Sequence, residues 1–286
     1  MISPEAISIS LSDGEENSIT IFRAHQPTVL PVLVILPALG VKGSYYRNVA
    51  QHFAAHHYHV VTIDHRGHGR SSVRPSSSSD FGYREQIELE YAEIFRIIKN
   101  IFSQSKIVII GHSLGGQMGS MFIGRYTELA DAIILNASCS TYHQGWGPVA
   151  GKGLYVFALF CRLISKMLGY YPGNRIGFGN VEAAGVMRDW QHTATTGKFA
   201  AHDSEYDYEQ SMANSTKPVL GITYEGDTSA PPLALQYLTS KFKKAQVKLL
   251  HLKLTDTTQK KYNHYSWARE PHLSFSVIDN WIKENF

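Results

Sequence analysis

Gly111-His112-Ser113-Leu114-Gly115 is the stretch of this 286-residue chain that most clearly invites chemistry. It follows an apolar run, Lys106–Ile110, and precedes a helix-compatible segment that begins at Gly116. A serine held in G-x-S-x-G between a strand and a helix sits on a sharp turn with its hydroxyl exposed. The flanking glycines keep side chains out of the way of the neighbouring strand and helix. The N–H of the next residue, Leu114, then points to where an oxyanion would form. The pattern alone is weak, because a Gly/Ser turn after a buried strand is common.

A nucleophilic serine needs a base, and the base needs an orienting carboxylate. Asp227, in Glu225-Gly226-Asp227, follows the strand-like run Val219–Tyr224. His264 follows the run Val247–Leu254 and precedes a final helical pattern, Leu273–Asn285. The order Ser113, Asp227, His264 is one known order for such a set. Taken singly, Asp227 reads equally well as a turn residue, and His264 is one of 14 histidines. Glu225 and His272 are the fallback carboxylate and base. A second oxyanion donor belongs in the turn after the run Val32–Leu36. Pro37 has no N–H, so Leu39 is expected, with Ala38 second. His65 and His68, in Asp64-His65-Arg66-Gly67-His68-Gly69-Arg70-Ser71, are read as structural.

The elements that must hold these residues alternate between strand and helix patterns, which predicts a mainly parallel sheet flanked by helices. Ala6–Leu11 and Ser18–Arg23 flank a turn signal and read as an antiparallel hairpin. Val32–Leu36, Val60–Asp64, Lys106–Ile110, Ala132–Asn136, Val219–Tyr224 and Val247–Leu254 complete eight strands. Helices are expected at Tyr46–His57, at Glu85–Phe102, after Ser113, at Pro232–Phe242 and at Leu273–Asn285. From Ser138 to Thr216 no strand pattern appears, so the expected domains are a core of 1–137 and 217–286 and a helical lid of 138–216. The run Leu154–Leu168 is a mostly apolar helix candidate there. Trp146, Tyr170 and Trp190 are the candidate substrate-binding residues of that lid, among aromatics that can equally pack it onto the body. Asp203, Glu205, Asp207 and Glu209 could hold a substrate ammonium, but read first as a solvated face.

Composition excludes several classes. Net charge is +3, and Lys and Arg are scattered, with small clusters at Lys241–Lys248 and Lys260-Lys261; nucleic acid is not an expected partner. The two cysteines, Cys139 and Cys161, lack C-x-x-C spacing, so no metal site is expected. The N-terminal residues carry no signal-peptide pattern. The apolar run Val29–Val41 is too short to span a bilayer, and Arg162 and Lys166 are too few to argue for lipid-surface binding. A cytoplasmic protein with no stable membrane insertion is expected; oligomeric state is left open.

Asp64-x-Arg66-Gly67-x-Gly69-x-Ser71, Gly111-x-Ser113-x-Gly115, Gly226-Asp227 and the late His264 resemble the α/β-hydrolase superfamily over nearly the whole chain. Further markers resemble bacterial predicted alpha/beta hydrolases of the serine aminopeptidase-like and lysophospholipase-like branch. These are Pro37–Val41, Gly111–Gln117, Leu168–Gly173, Arg188-Asp189-Trp190 and Asp227-x-x-Ala230-Pro231-Pro232. Two departures stand out: Pro37-Ala38 replaces the frequent His-Gly, and Asn263 replaces the Gly that usually precedes the histidine. The resemblance implies an α/β-hydrolase fold with the lid inserted after the sixth strand. It implies a serine hydrolase working through an acyl-enzyme, with Ser113, Asp227 and His264 as triad, Leu114 and Leu39 as oxyanion donors, and no cofactor. The expected substrate is a small molecule, first a carboxylic ester with a small to medium apolar or aromatic acyl group. A peptidase or amidase on the same triad is the alternative, and a catalytically silent binding module is the reading from another class.

Overall fold

The computed structural model describes residues 3–26, 28–253 and 263–286. The C-terminal end of the expected Val247–Leu254 strand and the pair Lys260-Lys261 lie outside the described residues. Ten strands are described: β1 Glu5–Ser10, β2 Glu16–Phe22, β3 Val32–Leu36, β4 Val60–Ile63, β5 Ile107–His112, β6 Ala132–Asn136, β7 Tyr170–Pro172, β8 Val181–Ala183, β9 Val219–Tyr224 and β10 Val247–Leu252. Eight form one sheet in the order β1-β2-β4-β3-β5-β6-β9-β10, with β7 and β8 as a separate ribbon. The β1–β2 and β2–β4 pairs are antiparallel. From β4 across to β10 every pair is parallel. Every residue of β3, β5, β6 and β9 is buried, as continuous aliphatic runs demand when helices cover both faces.

Ten α-helices are described: α1 Arg47–Ala55, α2 Ala92–Ile101, α3 Leu114–Arg125, α4 Pro148–Leu168, α5 Gly173–Ile176, α6 Ala184–Thr196, α7 Tyr208–Asn214, α8 Pro232–Thr239, α9 Ser266–Arg269 and α10 His272–Asn285. The segment read as one helix over Glu85–Phe102 is continuous but opens as a π-helix, Glu85–Tyr91, before α2. A π-helical opening uses i→i+5 bonding and is rare, so a helical pattern in a sequence is read as α-helix throughout.

The sheet order places the site. The chain runs from β3 outward to β4, then returns to the other side of β3 as β5. Ligands bind outside the carboxyl ends of strands where such an order reverses. Here that crevice lies between the ends of β3 and β5, where Leu36 is paired with Gly111.

The long insertion separates the sheet neighbours β6 and β9. It is largely helical, but it carries the β7–β8 ribbon, in which Tyr170 pairs with Ala183. Two three-residue strands are too short to produce a periodic signal. Helix α4 packs on α6 and β7 and turns Val149, Val156, Leu163 and Met167 outward, each more than half exposed. Among the described residues, α4 is long and apolar enough to cross a membrane by length and composition.

Candidate active site

Ser113 occupies the turn between β5 and α3 with φ 51° and ψ −118°. Non-glycine residues avoid that region, and such strain clusters at functional sites. The glycines around it have no room for a side chain. A Cβ on Gly115 would come 2.3 Å from the Leu36 carbonyl oxygen, and one on Gly111 would come 2.3 Å from Gly116 Cα. The chain after β6 pins the turn from the other side. Ser113 N–H donates to the Ala137 carbonyl at 3.2 Å, and Ser138 Oγ donates to the Ser113 carbonyl at 2.7 Å.

Asp227 and His264 come together as the sequence suggested. His264 Nδ1 lies 2.9 Å from Asp227 Oδ2. A carboxylate accepts, so Nδ1 carries the proton and Nε2 keeps a lone pair. The Asp227 side chain is almost fully buried, and its Oδ1 accepts the Ser229 N–H at 2.9 Å. Ser113 and His264 both line a cavity of about 410 Å³. Among the described residues no hydrogen bond engages Ser113 Oγ; in substrate-free sites that contact is often long. Neither Glu225 nor His272 lines the cavity, and His272 is the first residue of α10.

The turn after β3 sorts its own amides. Ala38 N–H donates to Tyr46 Oη at 2.9 Å, so it is already taken. Among the described residues no hydrogen bond takes up the Leu39 N–H. Leu114 is the first residue of α3, where a helix leaves its N–H without an intrahelical partner. Both leucines line the cavity.

Two residues that the sequence reading passed over tie this turn to the base. Tyr46 Oη lies 2.7 Å from His112 Nδ1, and His112 Nε2 lies 2.9 Å from the His264 carbonyl. That carbonyl must accept, so His112 carries its proton on Nε2 and Tyr46 donates to Nδ1. Burial, helped by the neighbouring His264, pushes the His112 pKa well below the usual histidine value. Burial also pushes the Tyr46 phenol well above its ordinary pKa. Both stay neutral, and a polar chain runs from Ala38 through Tyr46 and His112 to the His264 backbone. Its signal in the sequence was a histidine directly before the nucleophile.

His65 and His68 take the structural roles expected of them. His65 Nε2 donates to the Pro37 carbonyl at 2.7 Å and Tyr91 Oη donates to its Nδ1 at 2.6 Å. Burial lowers its pKa to about 3, so it props the turn as a neutral ring. His68 Nε2 lies 2.9 Å from Glu182 Oε2 of β8. Burial works against its charge, but the Glu182 carboxylate prevails and its pKa is raised. The ribbon also meets the turn directly: a Cβ on Gly40 would come 2.5 Å from Asn180 N.

The insertion supplies the apolar wall of the cavity with Trp146, Leu154, Phe178 and Trp190. Of the residues expected to bind substrate, Trp146 and Trp190 line the cavity. Tyr170, the third such residue, lies outside that lining. It sits half-buried in β7 and does not line the cavity. Successive strand residues face opposite sides; Tyr171 takes the inward position, fully buried, where Cys161 Sγ donates to its Oη at 3.4 Å. Tyr265, Gln117, Thr141, Cys139 and Ser229 also line the cavity and were missed. The acidic run lies elsewhere: Asp207 caps α7, Glu209 pairs with Lys241 at 2.8 Å and Asp203 pairs with His202 at 3.4 Å. No carboxylate, lysine or arginine is among the described residues that line the cavity.

The alpha/beta hydrolase fold family matches residues 31–251, more than half of the chain. The chain belongs to that family. Among its relatives, a monoacylglycerol lipase of Mycolicibacterium smegmatis is 29% identical over 163 residues, covering 55% of this chain and 51% of that protein. A monoacylglycerol lipase of Danio rerio is 23% identical over 165 residues, covering 56% of this chain and 37% of that protein. The chain thus spans about half, or less, of the length of these curated relatives. Solved structures share the fold over nearly their whole length. An esterase from Exiguobacterium antarcticum has a TM-score of 0.64 at 13% identity, over 96% of this chain and 98% of that one. Est1E from Butyrivibrio proteoclasticus, solved with ferulic acid bound, has a TM-score of 0.62 at 14% identity, over 97% of this chain and 96% of that one. At such identities the likeness shows the fold alone.

Proposed function

We propose that this member of the alpha/beta hydrolase family is a serine hydrolase of small carboxylic esters acting through an acyl-enzyme. The observation that carries the reading is the 2.9 Å His264–Asp227 contact beside a cavity that Ser113 and His264 both line. Ser113 Oγ attacks the ester carbonyl carbon as His264 Nε2 takes its proton. Asp227 holds the Nδ1–H tautomer and stabilises the imidazolium. The Leu39 and Leu114 N–H groups stabilise the oxyanion. The tetrahedral intermediate expels the alcohol, protonated by His264, and leaves Ser113 acylated. Water then gives up a proton to His264 and attacks the acyl carbonyl; collapse frees the acid and returns the proton to Ser113. Ser113, His264 and the attacking water account for every proton transferred, so the scheme calls for no cofactor.

Trp146, Leu154, Phe178 and Trp190 favour an apolar or aromatic acyl group, and about 410 Å³ lies near the small end of ligand pockets. The peptidase alternative loses its proposed ammonium anchor, since no carboxylate lines the cavity among the described residues. The names of the two monoacylglycerol lipases support an ester before an amide. Cys139 and Cys161 are buried and free, which supports the reading of a reducing, cytoplasmic compartment.

A fluorophosphonate probe tests the nucleophile: labelling of the wild type and none of Ser113→Ala is expected. No labelling of wild type, or equal labelling of the variant, removes the enzyme reading in favour of a silent binding module. Hydrolysis of aminoacyl anilides with no hydrolysis of p-nitrophenyl esters would replace the ester by the amide.

A further inference from the structure

Helix α4 buries its small side chains and shows its large ones. Gly151, Ala158, Cys161 and Ser165 are its buried residues, and the helix packs on α6 and β7. Val149, Val156, Leu163 and Met167 are more than half exposed, and Leu159 and Phe160 are each 44% exposed. At about 3.6 residues per turn these six form one stripe along the outer side of the helix. An exposed apolar patch of this kind marks a site of protein or membrane contact.

The charges beside the stripe have one sign. From Ala132 to Val181 the sequence carries Lys152, Arg162, Lys166 and Arg175 and no Asp or Glu. Among the described residues none of these four has an ion-pair partner. Helical spacing sets Arg162 and Lys166 along one border of the stripe and Lys152 just inside it. The other border leads to the cavity. The Phe160 and Phe157 rings lie 6.4 Å apart, and Phe157 meets Phe178 at 5.2 Å. Phe178 lines the cavity, as does Leu154 of α4.

We propose that α4 docks this protein on an anionic lipid surface, lying in the plane of the interface with its stripe against the acyl chains. Helices with a Leu- and Phe-bearing side and a Lys/Arg border bind in this way. Long basic side chains lay their stems on apolar surface and reach the headgroups. Anionic headgroups attract basic segments held near them, and this stretch holds no carboxylate to offset that attraction. The cations read from the sequence were too few for a lipid surface by themselves; the outward stripe adds the apolar contact. A second copy of the chain is the poorer occupant. A two-fold contact would set the stripe against itself and bring like charges side by side. A spanning orientation fails because α4 is held against α6 and β7. The rings Phe160, Phe157 and Phe178 would give an ester dissolved in the lipid an apolar path to the cavity. That last step rests on the ester-hydrolase reading, and the docking does not.

Flotation with phosphatidylcholine vesicles, with and without phosphatidylglycerol, tests the docking. Wild type should bind the phosphatidylglycerol vesicles at least about tenfold more strongly than the neutral ones. Raising NaCl to about 1 M, where the Debye length is about 3 Å, should weaken that binding. The double variant Leu163→Glu, Met167→Glu should lower it at least about tenfold. Both positions are exposed, so stability should change little, and unchanged fluorophosphonate labelling in solution checks that the variant is folded. Replacing Lys152, Arg162 and Lys166 by Gln should remove the preference for phosphatidylglycerol. No flotation of wild type with either vesicle, or equal flotation of wild type and the double variant, overturns the proposal. Equal binding to neutral and anionic vesicles overturns the anionic surface. A wild-type dimer in analytical ultracentrifugation that the double variant loses, with no flotation, gives the stripe to a second copy instead. A failure of the hydrolase reading would show separately, as flotation intact with no labelling of wild type.

Discussion

The sheet end and the insertion contribute to the same cavity in different ways. On the sheet side, positions are set by backbone. Ser113 is forced to φ 51° by glycines without room for a Cβ, and the turn at Ala38 is held by Tyr46 and His65. On the insertion side, positions are set by side-chain packing. Phe178 and Trp190 rings meet at 5.1 Å, and one buried ion pair, His68–Glu182, clasps the ribbon to the body. Reaction geometry tolerates little error, so rigid elements carry it. A wall of packed rings can change its shape through single substitutions.

Breaking the sheet side should abolish turnover while leaving the fold intact. Asp227→Asn keeps the size of the side chain but favours the wrong His264 tautomer; kcat should fall by about 10³–10⁴-fold, with little change in thermal midpoint. Retention of even a tenth of wild-type kcat would sink Asp227 as the orienting group. Trp190→Ala strikes the insertion instead. The ring is 3% exposed, and its loss should cost about 3–5 kcal/mol of stability in the unit that contains α6. Substrate preference should shift away from aromatic esters with the fluorophosphonate reaction retained; denaturant titration and an ester panel read both effects.

Tyr46→Phe sharpens the comparison, because Tyr46 holds the turn from behind and does not itself line the cavity. It leaves the Ala38 N–H without its acceptor and His112 without its donor, at about 1–3 kcal/mol of desolvation cost. A fall in kcat of roughly tenfold with KM held, about 1.4 kcal/mol, is expected. An equal rise in KM with constant kcat would assign Tyr46 to binding.

The smallest effect is pH-dependent and belongs to the clasp. The folded His68 pKa is raised, so the protonated ring is favoured in the folded state. Its contribution is fully present below the unfolded value of about 6.5 and is lost as pH rises through the folded pKa. Glu182→Gln should therefore flatten the alkaline decline of the thermal midpoint and lower the midpoint below pH 6.5. Parallel midpoint curves for wild type and variant across that window would show that the pair does not stabilise the ribbon.

How much of this was legible follows from the range of each cause. The G-x-S-x-G turn, the buried strands and the order Ser113, Asp227, His264 are local or sequential features. Alternation of apolar runs with helical periodicity marked all eight strands of the main sheet. The β7–β8 ribbon was invisible because its strands have three residues each. That Tyr170 falls outside the cavity lining was not legible, because a strand face, unlike a residue type, depends on register. His112 fills an unspecified position of the G-x-S-x-G pattern, although it joins Tyr46 to the His264 backbone.

The amino-acid sequence by itself determined the family, the strand–turn–helix around Ser113 and the exclusion of Pro37 as a donor. Those depend on side-chain size, a missing N–H and short-range periodicity, which the chain carries wherever it goes. Tertiary structure alone decided that Tyr46 uses up the Ala38 amide, that Phe178 lines the cavity and Tyr170 does not, and that Gln117 and Thr141 line it beside Ser113. Each of these outcomes is a competition for hydrogen bonds or space between groups distant in the chain. The contest is settled only when the sheet brings them within about 3 Å.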